Sequence, residues 1–248
     1  MRNVRHHIQK KADKEGASFA LLFDPDDCAE DERLERKIRT LSEHPVDLIF
    51  LGGSLLVGDA FERTLARIRA QTDLPIVLFP GSPMQLSDEA DGTLLLSLIS
   101  GRNPELLIGQ QVLAAPFLKR MRGAVISTGY MLIDGGKPTT ASYMSATTPI
   151  PRDKSDIAMS TAMAGELLGM SCIYMDAGSG AEKPIPPEMI QRVRKDLDIP
   201  LIVGGGIRDA QGISSAVEAG ADLVVIGSAF EEDPHFLNEM RAASRQPQ

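Results

Sequence analysis

Two glycine-rich turns near the C-terminus, Gly204-Gly205-Gly206 and Gly227-Ser228, each follow a short apolar run, IPLIV (199–203) and ADLVVI (221–226). Glycine lets backbone N–H groups come close to an anion, and in (β/α)8 barrels the turns after the last two strands commonly hold phosphate this way. Two ordinary tight turns would carry the same residues. Carboxylates stand at two further strand ends, Asp24 after FALLF (19–23) and Asp176 after SCIYM (171–175). Of the histidines, His6 and His7 fall in the leader, His44 before a strand and His235 in the last expected helix, so a general base is expected to be a carboxylate.

Asp24 is followed by Pro25, and a carboxylate on such a rigid turn can hold a hard cation such as Mg2+. The neighbouring run VDLIFL (46–51) ends in Gly52-Gly53-Ser54, which offers backbone N–H groups and a hydroxyl beside Asp24, with room between them for a diphosphate; Ser54 could equally cap a helix. The acids Asp26, Asp27, Glu30 and Asp31 superficially match an aspartate-rich magnesium motif of helical prenyl synthases. They are expected instead to open a helix, where negative charge favours the positive end of the dipole. A third donor-rich turn lies in YMDAGSGAEKP (174–184), where a strand's period of two puts Tyr174 and Asp176 on one side. Packing for Tyr174 and a loop cap for Asp176 are the plainer alternatives. One anion site near the first two strands and another near the last three imply two phosphorylated substrates across one mouth.

Eight apolar runs must position these groups: the five quoted above together with PIVLF (75–79), TLLLSLI (93–99) and GAVIST (123–128). Helical spacing separates most of them, through Leu34, Ile38 and Leu41; Phe61, Leu65 and Ile68; Leu106, Leu107, Val112 and Leu113; Ile157, Met163, Leu167 and Leu168; and Met189, Ile190, Val193 and Leu197. Near-continuous apolar strands suit a parallel sheet covered on both faces, and eight βα units in this length predict a closed (β/α)8 TIM barrel as a single domain over 1–248. Only GSPMQLSDEADG separates the third and fourth strands, so the third crossover is expected to be irregular, and 129–152 is expected to be a long functional loop.

Composition narrows the function classes. Thirty-four acidic against twenty-six basic residues, without a long basic run, exclude a nucleic-acid phosphate surface and point to small-molecule partners. Cys28 and Cys172 lie far apart with no metal-ligand spacing, the N-terminus lacks the apolar core of a signal peptide, and no stretch is long enough to span a bilayer, so a cytoplasmic protein is expected.

FDPD (23–26), GGS (52–54), STGYMLIDGGKPT (127–139), TTPIPRDK (147–154), YMDAGSGAEKP and VGGGIR (203–208) together resemble the geranylgeranylglyceryl phosphate synthase family, which includes the heptaprenylglyceryl phosphate synthases. The resemblance covers nearly the whole chain in order. It implies a modified barrel that transfers a prenyl group, expected to be geranylgeranyl, from a prenyl diphosphate to the 3-hydroxyl of sn-glycerol 1-phosphate with Mg2+. It also implies Asp24 and Ser54 as the metal site. Tyr174, Met175, Asp176, Ala177, Gly178, Ser179, Gly180, Gly205, Gly206, Gly227 and Ser228 match the glycerol phosphate site, with Asp176 and Tyr174 as the catalytic pair. Met131, Met144, Met159 and Met163 are candidates for an apolar groove around the prenyl tail. A homo-oligomer and transient contact with a membrane surface are expected.

The chain departs from the family at Asp176, where glutamate is usual, and at Ser228, where asparagine is common. A missing methylene moves a carboxylate by about 1.5 Å, enough to slow a reaction roughly 100-fold. Two other readings stay open: another phosphate-binding barrel enzyme such as a sugar-phosphate isomerase or aldolase, although no strand ends in lysine for a Schiff base, and a glycerol phosphate binder without turnover.

Overall fold

The computed structural model describes residues 4–9, 16–26, 31–41 and 46–227. Eight parallel strands close into a barrel in sequence order: β1 (Ser18–Phe23), β2 (Leu48–Leu51), β3 (Ile76–Leu78), β4 (Gly92–Leu98), β5 (Ala124–Leu132), β6 (Cys172–Asp176), β7 (Leu201–Gly204) and β8 (Leu223–Ile226). The ring closes where Ser18 of β1 registers with Leu223 of β8. Around it run α1 (Val4–Gln9), α2 (Asp31–Leu41), α3 (Ala60–Gln71), α4 (Gln110–Leu118), α5 (Thr140–Met144), α6 (Ser155–Leu167), α7 (Pro187–Lys195) and α8 (Ala210–Glu218). Among the described residues no helix is long and apolar enough to cross a membrane.

Alternation along the strands divides the core in two. Ala20, Leu48, Phe50, Val77, Leu94, Ile126, Tyr174, Ile202 and Val225 fill the lumen, whereas Leu21, Ile49, Leu78, Met131, Met175 and Val203 face the helices. The leader is more than a basic tail, because Val4 and Ile8 of α1 belong to the lumen cluster and close the barrel's N-terminal end.

That end is stitched by a repeated device. An aspartate just before a strand donates its N–H to a carbonyl of an earlier strand and accepts that same residue's N–H on its carboxylate: Asp47 from Phe19 (2.7 Å), Asp91 from Ile76 (2.8 Å) and Asp222 from Leu201 (2.8 Å). Arg69 and Arg194 neutralise the last two at 2.6 and 2.7 Å.

The opposite end is irregular where the site lies. Between β3 and β4 stands only a 3-10 turn, Pro83–Gln85, and Leu95, Leu96 and Ser97 of β4 are only partly buried. β5 runs four residues beyond the predicted GAVIST, to Leu132, and makes Tyr130 a strand residue. The excursion that follows is ordered by a bridge between Ile133 and Ile150 and by α5, whose N-cap Thr139 and Ser142 form a capping box.

Two helical faces differ from expectation. α6 buries Ala158, Ala162 and Gly165 and exposes Ile157, Met163, Leu167 and Leu168; around α4, Val112 and Leu113 are exposed while Ala114 and Leu118 are buried. Close approach explains α6, since a side chain at Gly165 would stand 2.8 Å from Ile173 and 2.9 Å from Ile99.

The Asp222 carboxylate is nearly buried, so Asp222→Ala would strand the Arg194 guanidinium and the Leu201 N–H. We expect a loss of about 3 kcal/mol, read as a melting temperature lower by roughly 6–12 °C in scanning calorimetry.

Candidate active site

The carboxylate of Asp176, the last residue of β6, lies inside the barrel mouth with both oxygens engaged. Tyr130 of β5 donates its hydroxyl to Oδ2 at 2.6 Å, and the Gly178 N–H donates to Oδ1 at 2.7 Å. Burial pushes the Asp176 carboxyl above the ordinary aspartate range, against the downward pull of those two bonds. Burial first, and then the neighbouring carboxylate, hold the Tyr130 hydroxyl well above its usual value, so it remains a donor. A buried carboxylate kept basic by desolvation is suited to take a proton from an alcohol.

Gly205 touches this carboxylate. Its φ is +81°, and a Cβ there would lie 2.6 Å from Asp176 Oδ1. The N–H groups of Gly205 and Gly206 have no partner among the described residues, so they stay available to an anion beside Asp176. The turn after β6 contributes less than expected, because Ala177 N–H is spent on Gly204 O (3.0 Å) and Gly178 N–H on Asp176. Ser179 and Gly180 are its remaining donors. Met175 and Ala177 point their side chains into the helix layer, so only their backbones can meet a ligand. Gly227 directly follows β8 at the same end of the barrel, and Ser228 lies outside the described residues.

Tyr174 is 1% exposed and forms the floor. Its ring stacks on Phe79 at 5.1 Å and meets Tyr130 edge-on at 5.6 Å, while Phe79 and Tyr130 meet at 5.7 Å. Its hydroxyl lies where a side chain on Gly204 would be, 2.7 Å from the Cβ position. Burial and the Asp176 charge raise it well above the usual tyrosine range.

Across the mouth, Asp24 follows β1. A Cβ on Gly53 would sit 2.4 Å from Asp24 Oδ2, so glycine there is what lets the loop after β2 close on the carboxylate. The expectation that Gly52 and Gly53 present N–H groups to a ligand fails on hydrogen-bond accounting. Gly52 donates to Phe23 O (3.0 Å) and Gly53 to the Gln85 side chain (3.1 Å), which leaves Ser54 with an N–H and a hydroxyl unpartnered among the described residues. The Asp26 carboxylate accepts from Val57 (2.7 Å) and Gly58 (3.2 Å) and fastens the same loop, while the Asp26 N–H donates to Asp24 Oδ1 at 3.1 Å. Asp27 and Glu30 lie outside the described residues, and Asp31 is the first residue of α2. Among the described residues no three metal-ligating side chains cluster. The donors present, one carboxylate and one hydroxyl, suit a hard cation that takes its other ligands from phosphate and water.

Between the two halves lies an apolar cavity of about 400 Å³, bounded by the short third crossover, β4, β5 and α4. It reaches from Ser54 and Phe79 past Leu96 and Tyr130 to Leu106, Ala114 and Leu118. Of the four methionines expected to line a groove, only Met144 does so; Met131 is in the helix-facing core, Met159 packs partly buried against it and Met163 is on the outer face of α6. Met84 lines it as well. Tyr130, Phe79 and Gln85 are the residues that sequence reasoning missed, and the STGYML strand pattern was the one signal that could have placed Tyr130 beside Tyr174.

The PcrB family model matches residues 10–244. A geranylgeranylglyceryl phosphate synthase of Chitinophaga pinensis is 53% identical over 236 residues, which cover 95% of this chain and 93% of that one. Another, from Flavobacterium johnsoniae, is 48% identical over 234 residues, covering 94% and 96%. The crystal structure of (S)-3-O-geranylgeranylglyceryl phosphate synthase from Thermoplasma acidophilum, in complex with its substrate sn-glycerol-1-phosphate, superposes with a TM-score of 0.87 at 30% identity, covering 98% of this chain and 96% of that one. With the family model spanning nearly all of the sequence and relatives of this similarity along its length, this chain belongs to the PcrB family.

Proposed function

We propose that this protein is a single-domain prenyltransferase that moves a geranylgeranyl group from its diphosphate to the 3-hydroxyl of sn-glycerol 1-phosphate. The observation that carries this reading is Tyr130, which lines the apolar cavity and hydrogen-bonds the buried Asp176 carboxylate, so that an apolar chain and a deprotonated alcohol would meet at one side chain. An isomerase or aldolase of sugar phosphates has no use for such a cavity.

In this reading the phosphate of the acceptor rests on the Gly205 and Gly206 N–H groups, with Ser179, Gly180 and Gly227 around it. Asp176 orients the 3-hydroxyl and takes its proton while the oxygen attacks C1 of the donor. The ether C–O bond forms, the bond from C1 to the diphosphate breaks, and the diphosphate departs with the electron pair. Tyr130 holds the carboxylate toward the acceptor, and the Phe79 and Tyr130 rings, which line the cavity, would stabilise through their π electrons an allylic carbon that gains positive character. Asp24 and Ser54 would hold a magnesium ion, which when bound supplies charge neutralisation for the leaving diphosphate. The cavity takes the tail and excludes water from the reacting carbon.

The expected homo-oligomer and lipid contact find support on two surfaces. α6 turns Leu167 and Leu168 outward, 85% and 77% exposed, and Ile108, Val112 and Leu113 are exposed around α4, the helix that follows the neighbouring strand. Asp156 pairs with Arg192 and Glu166 accepts the Asp198 and Ile199 N–H groups, so both acids of α6 are already engaged within the chain. Met84 and Tyr143, beside the cavity, are exposed where a protein working in the cytoplasm would meet the lipid that carries its donor.

The assay is incubation with labelled sn-glycerol 1-phosphate, magnesium and a ladder of prenyl diphosphates, followed by lipid extraction. A labelled lipid that depends on magnesium, with kcat/KM lower by on the order of 100-fold or more in Asp24→Ala, is the expected result; binding of glycerol phosphate without product from any donor overturns the transferase reading. Tyr130→Phe removes a bond that lowers the Asp176 pKa, so that pKa rises and the acid limb of the kcat/KM profile moves to higher pH. An unmoved limb would show that Asp176 is not the base. Leu167→Glu with Leu168→Glu is expected to reduce the mass measured by light scattering to that of one chain, and a wild-type protein that is already monomeric would refute the shared face.

A further inference from the structure

The third crossover, where a barrel normally has a helix, supplies Gln85. Its turn is set locally: Ser82 Oγ accepts from Met84 N–H at 3.3 Å, and Pro83 takes the first turn position, where a missing N–H is harmless. The side chain, 1% exposed, then clasps Gly53 from both sides, with Nε2 donating to Gly53 O at 2.8 Å and Oε1 accepting from Gly53 N–H at 3.1 Å. Oε1 also faces Gly81 N–H at 3.4 Å. A primary amide is suited to this because it donates and accepts in one plane; a carboxylate lacks the donor and an aliphatic chain lacks both.

Gly53 is the residue on which Asp24 leans, and Ser54 follows it. Asp26 fastens the far end of the same loop through Val57 and Gly58, so the stretch from Gly53 to Gly58 is pinned at both ends with Ser54 between the pins. We propose that Gln85 is a positioning residue that fixes Gly53 against the Asp24 carboxylate, holds Ser54 next to it in the chain, and so preforms the donor-diphosphate site. It touches neither substrate in this account. It acts by fixing a glycine loop that would otherwise sample many conformations, in the way that groups behind metal ligands typically set affinity.

The inference rests on the reading of Asp24 and Ser54 as the cation and diphosphate site, and the test separates the two. Gln85→Met keeps the length of the side chain and removes both bonds, while Gln85→Glu keeps the acceptor alone. Binding of inorganic diphosphate with magnesium to the intact protein is measured by calorimetry, alongside binding of sn-glycerol 1-phosphate and the magnesium concentration for half-maximal turnover. Gln85→Met is expected to weaken magnesium-diphosphate binding on the order of 10-fold to 100-fold, to raise the half-maximal magnesium concentration in step, and to leave glycerol phosphate binding within about twofold. Gln85→Glu is expected to fall between the two, and it carries the test if the methionine variant does not fold. Magnesium-diphosphate binding unchanged in both variants, while Asp24→Ala abolishes it, overturns the role of Gln85 alone. Loss of diphosphate and glycerol phosphate binding in parallel also overturns it, as general damage. No diphosphate binding in the wild type, or none lost in Asp24→Ala, overturns the site reading itself.

Discussion

A carboxylate withdrawn from water is costly unless its oxygens are answered, and the mouth of this barrel is arranged around that constraint at Asp176. One oxygen is answered by Tyr130, which requires β5 to continue as a strand well past its apolar run, to Leu132, so that Tyr130 registers beside Tyr174 on β6. The other is answered by the Gly178 N–H, which requires a turn tight enough to fold back on the strand it leaves. The neighbouring loop can close over the same oxygen only because residue 205 has no side chain. The result is a group less acidic than an ordinary aspartate, yet held by two donors in one orientation.

The missing helix of the third crossover has consequences of its own. A helix after β3 would cover that side of the sheet; with a single 3-10 turn there, Leu95 and Leu96 stay partly uncovered and a cavity opens against β4, β5 and α4. The same short segment returns Gln85 to the loop after β2. One economy in chain length thus yields both the space proposed for an apolar tail and the clasp on the loop proposed for its diphosphate. Phe79, at the start of that segment, also joins the aromatic floor with Tyr130 and Tyr174.

Strand positions were legible in the sequence because a parallel barrel buries both faces of each strand, and the resulting apolar runs stand out from their surroundings. The strand ends that carry Asp24, Asp176 and the glycine turns followed from the same runs. What periodicity could not give was direction on the helices. Large apolar side chains at helical spacing usually mark the core face, but α6 inverts the rule by packing Ala158, Ala162 and Gly165 inward, and its Leu167 and Leu168 carry their apolar surface outward. Tyr130 was hidden for a different reason, since Ser127, Thr128 and Gly129 interrupt the apolar run of β5 and separate Tyr130, Met131 and Leu132 from it.

Glycine content also proved a poor guide to where donors are free. The turns after β2, β6 and β7 look alike in sequence, each carrying two glycines close to the strand end, yet the barrel spends their N–H groups differently. After β2, Gly52 and Gly53 are bound to Phe23 and Gln85; after β6, Ala177 and Gly178 are bound to Gly204 and Asp176; after β7, Gly205 and Gly206 have no partner among the described residues. An anion near β7 can therefore rest on backbone alone. An anion near β1 and β2 finds a hydroxyl, one N–H and a carboxylate of its own sign, which would repel it unless a cation stood between them. The two proposed sites are thus unequal by construction: a backbone cradle fits a singly phosphorylated acceptor that stays intact, and an acidic site that needs a cation fits a diphosphate whose departure that cation assists.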